Sequence, residues 1–275
     1  MKYFIDTEFI EGFHKPLFGR RRHFIDLVSI GIVAEDGRTY YAISKEFEPK
    51  KASEWVQDNV LYPIMRDHGY SKTLSYLHGH LSYHPSAIKD VQKHYGKTNA
   101  VIAQEVADFI QCGLYDVVTK ITRADAWQEC FYKEEFAYIK KHNTFIPKEI
   151  YNSGTDGKGA ERNFRIIYNQ PEFYGYYADY DWVLFCSLYG RMIDLPKGFP
   201  MYCKDLKQMV DDKADHVLHF GVGTHSQGNK WYPYNMQEAI KWVKDHPLYP
   251  KQKDEHNALA DAKWNKELFD FLERI

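Results

Sequence analysis

Cysteine is scarce in this chain and unpatterned. Its four cysteines (Cys112, Cys130, Cys186 and Cys203) form no Cys-x-x-Cys pair and have no histidine at zinc-finger spacing. That excludes a disulfide framework and a small zinc module, and reduced thiols of the cytosolic kind are the simplest account. Long apolar runs are also missing: none approaches the roughly 20 residues a membrane span requires, so no membrane partner is expected. The formal net charge is only −2. The chain therefore lacks the basic excess of a protein that coats nucleic acid electrostatically, although an enzyme can recruit positive charge through bound metal ions. Its glycine-rich stretch, "NSGTDGKGAERN", lacks the Gly-Lys-Ser/Thr ending of a phosphate-binding loop and reads as a turn. No internal repeat or low-complexity tract is visible. Met1 leads straight into a strand-forming segment, so no leader is expected and the expected location is cytoplasmic.

What is present is the material of a large core. The 275 residues include 44% hydrophobic side chains, enough for a sizeable globular domain. Tyr3, Phe4 and Ile5 are strong strand formers, so the chain is expected to begin with a strand. A polar loop, Glu11 to His23, with the solvated basic run Arg20-Arg21-Arg22, should follow. Ile25–Glu35 and Thr39–Glu46 then read as a hairpin about the Asp36-Gly37 turn. The near-continuous apolar run from Leu27 to Val33 predicts burial on both faces. Ser53 is placed to cap a short helix in "SEWVQDNVL", whereas Tyr62–Thr98 shows no usable periodicity.

Val101, Ile102, Val106, Phe109 and Ile110 have helical spacing, with Gly113 as the stop. A helix is also expected at Asp125–Lys141. "EFYGYYADYDWVLFCSLYGRM" reads as a strand at Tyr174–Ala178 feeding a helix that ends near Gly190. "FPMYCKDLKQMV" reads as a short strand and a helix with Asp205 as its N-cap. Helices at Met236–Asp245 and Asn257–Glu273 complete the chain. Early strands followed by helices alternating with single strands imply an α/β domain with a mixed sheet.

The opening "MKYFIDTEF" poses a physical problem. On a strand Asp6 and Glu8 project from the same face, about 7 Å apart, and neither is cheaply buried unpaired. A divalent metal, a basic side chain or water at a strand end could sit between them. Further acids bear on the choice: Asp181 lies at a strand–helix junction in "YYADYDW", and Asp261 lies in the final helix within "HNALADAKWN". His256 precedes that helix by so little that it must swing back from the loop to approach Asp261.

These residues resemble the DEDD exonuclease superfamily, whose fold is ribonuclease H-like. Its D-x-E motif matches Asp6 and Glu8, and the "ADYD" context, with Tyr where Phe is common, selects Asp181 over Asp179. The third motif separates a Tyr branch from an H-x-x-x-x-D branch; His256 and Asp261 match the latter, since Asn257 stands where Tyr would be. "YFIDTEFIE", "IDLVSIGIVAEDGRTYYAIS", "WVQDNVL", "YYADYDWVLFCSLYG" and "HNALADAKWN" look like a small bacterial and phage family of 3′–5′ exoribonucleases typified by a mycobacterial enzyme. The likeness covers roughly 1–65 and 171–275.

The resemblance implies an α/β, ribonuclease H-like mixed β-sheet flanked by helices, in a single domain over 1–275 with a partly helical insertion at about 115–170. It implies hydrolysis of RNA from its 3′ end with release of nucleoside 5′-monophosphates, assisted by two Mg²⁺ or Mn²⁺ ions. Asp6 would bridge both ions, Glu8 and Asp261 would complete the site of the attacking water, and Asp181 would support the second ion through water. His256 would act as general base, a usual task for imidazole near neutral pH. Phe9 would pack on the terminal base or sugar; a core aromatic is its alternative, and Trp182 reads as core. The partner would be single-stranded RNA or a 3′ overhang. A DNA exonuclease, an oligoribonuclease or a non-cutting nucleic-acid-binding module are the alternatives.

The chain is longer than small members of that family: Asp181 lies 173 residues after Glu8. The excess is placed at about 115–170, with some extension in 62–99. From Lys140 to Gln170 there are six basic and three acidic residues, and Tyr151 and Phe164 are available for stacking on bases. Arg162 and Arg165 are therefore expected to contact RNA. The alternative is a structural elaboration, or a dimer contact that would make the protein a homodimer.

Overall fold

The computed structural model describes residues 1–14, 19–70, 74–77, 80–83, 85–111, 115–121, 127–128, 149–155, 161–168, 170–221 and 232–275. The chain divides into two compact units: Lys2–Gln104 with Glu172–Ile275, and Glu105–Pro171, to which Met1 also belongs.

The larger unit is an α/β layer built on a mixed sheet of six strands, compatible with a ribonuclease H-like fold. In chain order these strands are β1 (Lys2–His14), β2 (Arg22–Ala34), β3 (Thr39–Ser44), β6 (Gly96–Lys97), β11 (Glu172–Gly175) and β12 (Lys204–Asp205). Across the sheet the order is β12-β11-β1-β2-β3-β6. β1, β2 and β3 form an antiparallel meander. β11, β12 and β6 join it in parallel. A hairpin of β4 (Leu74–Leu77) and β5 (His80–Tyr83) lies apart from this sheet.

Helical segments follow the meander: α1 (Glu54–Val56), a π-type stretch (Gln57–Leu61) and α2 (Tyr62–Asp67) run on without a break. Ser53 caps the first of them by accepting the N–H of Val56 at 3.3 Å. α3 (Pro85–Tyr95) and α4 (Asn99–Gln111) come next. After the second unit's strands come α5 (Asp179–Ser187), α6 (Leu206–Phe220), α7 (Met236–Lys244) and α8 (Ala258–Arg274). Asp205 caps α6, accepting the N–H of Lys207 at 2.7 Å. Among the described residues, no helix is long and apolar enough to cross a membrane.

The central strand organises the rest. Residues of one parity share a face of a strand. On β1, Phe4 enters an apolar cluster with Leu206, Val210, Leu268 and Phe269 from α6 and α8. Ile10, of the same parity, enters a second cluster with Leu61, Met65, Ile88 and Val91. Asp6 and Glu8 fall between the two, where neither core claims the face. The odd positions serve the opposite layer: Tyr3 packs on Phe173, which packs in turn on Trp182 and Phe185 of α5. As expected, β2 from Leu27 to Ala34 is buried throughout.

Several boundaries differ from the sequence reading. In the segment read as a polar loop, Glu11–His23, both described ends are strand, because β1 runs to His14 and β2 begins at Arg22. Cross-strand pairs hold this ribbon without apolar alternation: His23 meets Glu11 at 3.2 Å, and the rings of His14 and Phe24 lie 4.7 Å apart. The strand expected at Tyr174–Ala178 is Glu172–Gly175, since Tyr177 turns away with φ of +56°.

In the smaller unit β7 (Tyr115–Ile121), β8 (Trp127–Gln128), β9 (Glu149–Thr155) and β10 (Glu161–Tyr168) form an antiparallel sheet ordered β8-β7-β10-β9. The helix expected at Asp125–Lys141 lies outside the described residues apart from Trp127 and Gln128, which are strand. Gly113, Cys112 and Cys130 also lie outside them, while Cys186 and Cys203 are free thiols.

Candidate active site

Asp6, Glu8 and Asp261 are brought together: each offers an oxygen, and the three oxygens lie within 4.8 Å of one another. They line a cleft of about 530 Å³ that also takes in Phe9, Asp181 and His256. Glu8, Asp181 and Asp261 are all under a tenth exposed.

Placement of Asp261 begins with a missing side chain. Gly31 of β2 stands opposite Asp6 in the register. A Cβ there would lie 2.2 Å from the carbonyl oxygen of Ala258 and 2.5 Å from the nitrogen of Leu259. The first turn of α8, which carries Asp261, thus rests directly on the strand beside Asp6. Asn265, one turn on and 1% exposed, donates to the carbonyl of Ile5 at 2.9 Å and pins the helix to β1. Asn257 caps the helix through the N–H groups of Leu259 and Ala260.

The loop before α8 bends back as the sequence requires, with His256 at φ of +66°. In that conformation the His256 N–H donates to Asp261 Oδ2 at 2.8 Å, and Gln252 donates to Oδ1 at 2.7 Å. The His256 ring meets the edge of Trp55, centroids 4.7 Å apart. Phe9 follows an irregularity in the β1–β2 register between Glu8 and Phe9. Such bulges re-aim side chains, and the Phe9 ring lies 5.3 Å from that of Tyr180.

Burial dominates the electrostatics. It pushes the Glu8 carboxyl up to about 8, with Asp261 and Asp181 adding repulsion. It pushes Asp181 up to about 7 against the opposing hydrogen bonds from Thr7. Asp6 is raised well above the usual carboxylate range by burial and then by Asp181, Glu8 and Asp261. Asp261 is raised by burial, offset in part by the donors from Gln252 and His256. Among the described residues, those lining the cleft include no Lys or Arg. A set of carboxylates so placed lacks its positive partner, and an all-oxygen donor set suits a hard divalent ion such as Mg²⁺ or Mn²⁺.

Arg162 and Arg165 are positions of β10 in the smaller unit, and their side chains lie outside what the structure describes. The sequence reading missed Thr7, Gly31, Gln252, Asn265 and Trp55. Asn265 did leave a signal, a polar residue on the apolar stripe of the last helix; the roles of Gln252 and Trp55 depend wholly on tertiary neighbours.

No family model matches the chain. Two curated relatives, 3′–5′ exoribonucleases from the CDC 1551 and H37Rv strains of Mycobacterium tuberculosis, are each 54% identical to it over 61 residues. In that stretch the chain is similar to a 3′–5′ exoribonuclease. The match takes in 22% of this chain and spans 31% of the length of the relatives.

Proposed function

We propose that this protein is a metal-dependent 3′–5′ exoribonuclease. The observation that carries the reading is the meeting of Asp6, Glu8 and Asp261 in one cleft with Asp181 and His256. Two Mg²⁺ or Mn²⁺ ions held by Asp6, Glu8, Asp261 and Asp181 would supply charge neutralisation at the phosphodiester and activation of the attacking water. His256 takes the proton from that water as it attacks phosphorus. The P–O3′ bond breaks, the released O3′ takes up a proton from solvent to become the new 3′-hydroxyl of the shortened strand, and a nucleoside 5′-monophosphate leaves. Phe9 and Tyr180 offer ring faces to the last bases of an unpaired strand. The similarity to enzymes named exoribonucleases favours RNA over DNA as substrate.

The test compares RNA and DNA oligonucleotides of one sequence in Mg²⁺, with products resolved by chromatography. Ribonucleoside 5′-monophosphates formed faster than their deoxy counterparts are expected. Faster release from DNA would replace this reading with a DNA exonuclease, and no release from either would leave a binding module.

A further inference from the structure

The residue between the two acids of the opening motif, Thr7, does more than space them. β11 pairs with β1 only over Lys2–Phe4. Beyond Phe4 that side of β1 has no strand partner among the described residues, and a buried N–H at Thr7 must find another acceptor or go unpaired at a cost in stability. The acceptor is Asp181. Its Oδ1 takes the Thr7 N–H at 2.8 Å and the Thr7 hydroxyl at 2.6 Å. Thr7 is 5% and Asp181 6% exposed, so water does not compete freely for these bonds.

Two donors on one oxygen have a directional consequence. They fix the carboxylate plane of Asp181, whose other oxygen carries no hydrogen bond to a described residue that would turn it aside. Asp181 stands outside the trio whose oxygens converge within 4.8 Å, yet lines the same cleft. It arrives from α5, on the opposite layer of the sheet from α8, and reaches the cleft past the end of β11. Among the described residues, the side-chain hydrogen bonds of Asp181 come from Thr7 and none from its own helix.

We propose that Thr7 is a positioning residue for Asp181, its hydroxyl locking one carboxylate oxygen so that the other is presented to a divalent cation in the cleft. The inference rests on the cation-binding reading given above. The motif then has a division of labour: Asp6 and Glu8 face the cleft directly, and Thr7, on the opposite face of β1, aims the acid that arrives from the other layer. Hydrogen bonds that orient a ligand carboxylate typically contribute 10–100-fold in metal affinity.

Isothermal titration of the intact protein with Mn²⁺ tests this without reference to turnover. Thr7→Val keeps the backbone N–H and the side-chain shape but removes the hydroxyl; Thr7→Ser keeps the hydroxyl. The expected result is saturable binding by the parent and a roughly 10–100-fold weaker cation site in Thr7→Val. Thr7→Ser should restore affinity, and Asp181→Asn combined with Thr7→Val should be no weaker than Asp181→Asn alone. Should Thr7→Val melt well below the parent, Thr7→Ala, which puts no methyl against the carboxylate, takes its place. Equal affinity in the parent and the hydroxyl-free variant would overturn the role of Thr7 while leaving the cation site intact. Equal weakening in the Val and Ser variants would also overturn it, because the hydroxyl would then not be the cause. A parent that binds no Mn²⁺ would overturn the cation-binding reading itself.

Discussion

Glu8 is 8% exposed, and burial, with added repulsion from Asp261 and Asp181, leaves it easier to protonate than in the unfolded chain. The same sign holds for Asp6, Asp181 and Asp261. A raised folded-state pKa means that the folded protein binds protons more tightly, so the contribution to stability is full below the unfolded pKa and is lost as pH climbs through the folded value. With Glu8 at about 8 and Asp181 at about 7, the window runs from about pH 4 to about pH 8. The metal-free melting temperature should fall across that window, and Mg²⁺ should restore it most at the alkaline end, where protons no longer compete. A metal-free melting temperature that rises from pH 5 to pH 8 would contradict the electrostatics. His256 is a separate case, since its contact with the acids runs through its backbone N–H to Asp261. His256→Ala should lower turnover about 10²- to 10⁴-fold, the usual range for a general base, with Mn²⁺ affinity retained. If it loses the cation as completely as Asp261→Ala does, His256 is a ligand instead. The acids and His256 were legible in the sequence because their chemistry shows in residue type and spacing. Thr7 and Gly31 were not, because a hydroxyl and an absent side chain acquire meaning only from the α5 and α8 residues that meet them.

At the scale of elements, the site depends on how closely α8 lies on β2. Gly31→Ala places a Cβ within 2.5 Å of the backbone at Ala258 and Leu259, so the helix start must shift. The expected cost is about 1–3 kcal/mol, as for other overpacked sites, with a loss of turnover because Asp261 moves with its helix. Denaturant unfolding and steady-state rates check both; unchanged stability and rate would mean that the helix seats itself elsewhere. The helices were readable where caps and apolar stripes coincide: Ser53, Asp205 and Asn257 cap as their residue types suggest. The outer ends of β1 and β2 were not. Their polar side chains carry no alternation, and backbone pairing with one neighbour extends them past the core. The stop of β11 at Gly175 was equally hidden, although it frees the edge that Asp181 occupies.

For the whole molecule, the order of strands and helices was enough to anticipate a mixed sheet flanked by helices, since the pattern of burial follows from the apolar runs. The convergence of acids from three distant segments depends on tertiary placement, and only the resemblance to a known family anticipated it. The proposed RNA contacts at Arg162 and Arg165 belong to the smaller unit, whereas every cleft residue belongs to the larger one. Reversing both charges should raise KM for long RNA and flatten the salt dependence of binding, while leaving a very short substrate unaffected. Equal loss on both substrates would remove those arginines from the substrate path. Directional, cation-dependent shortening of RNA by the acidic cleft is the central property of the proposed function. Single-stranded RNA labelled at its 5′ end, incubated with the intact protein in Mg²⁺, should yield a ladder that shortens one nucleotide at a time from the 3′ end. EDTA or Asp6→Ala should abolish it. Internal cuts, or shortening that survives EDTA or the loss of Asp6, would contradict the account.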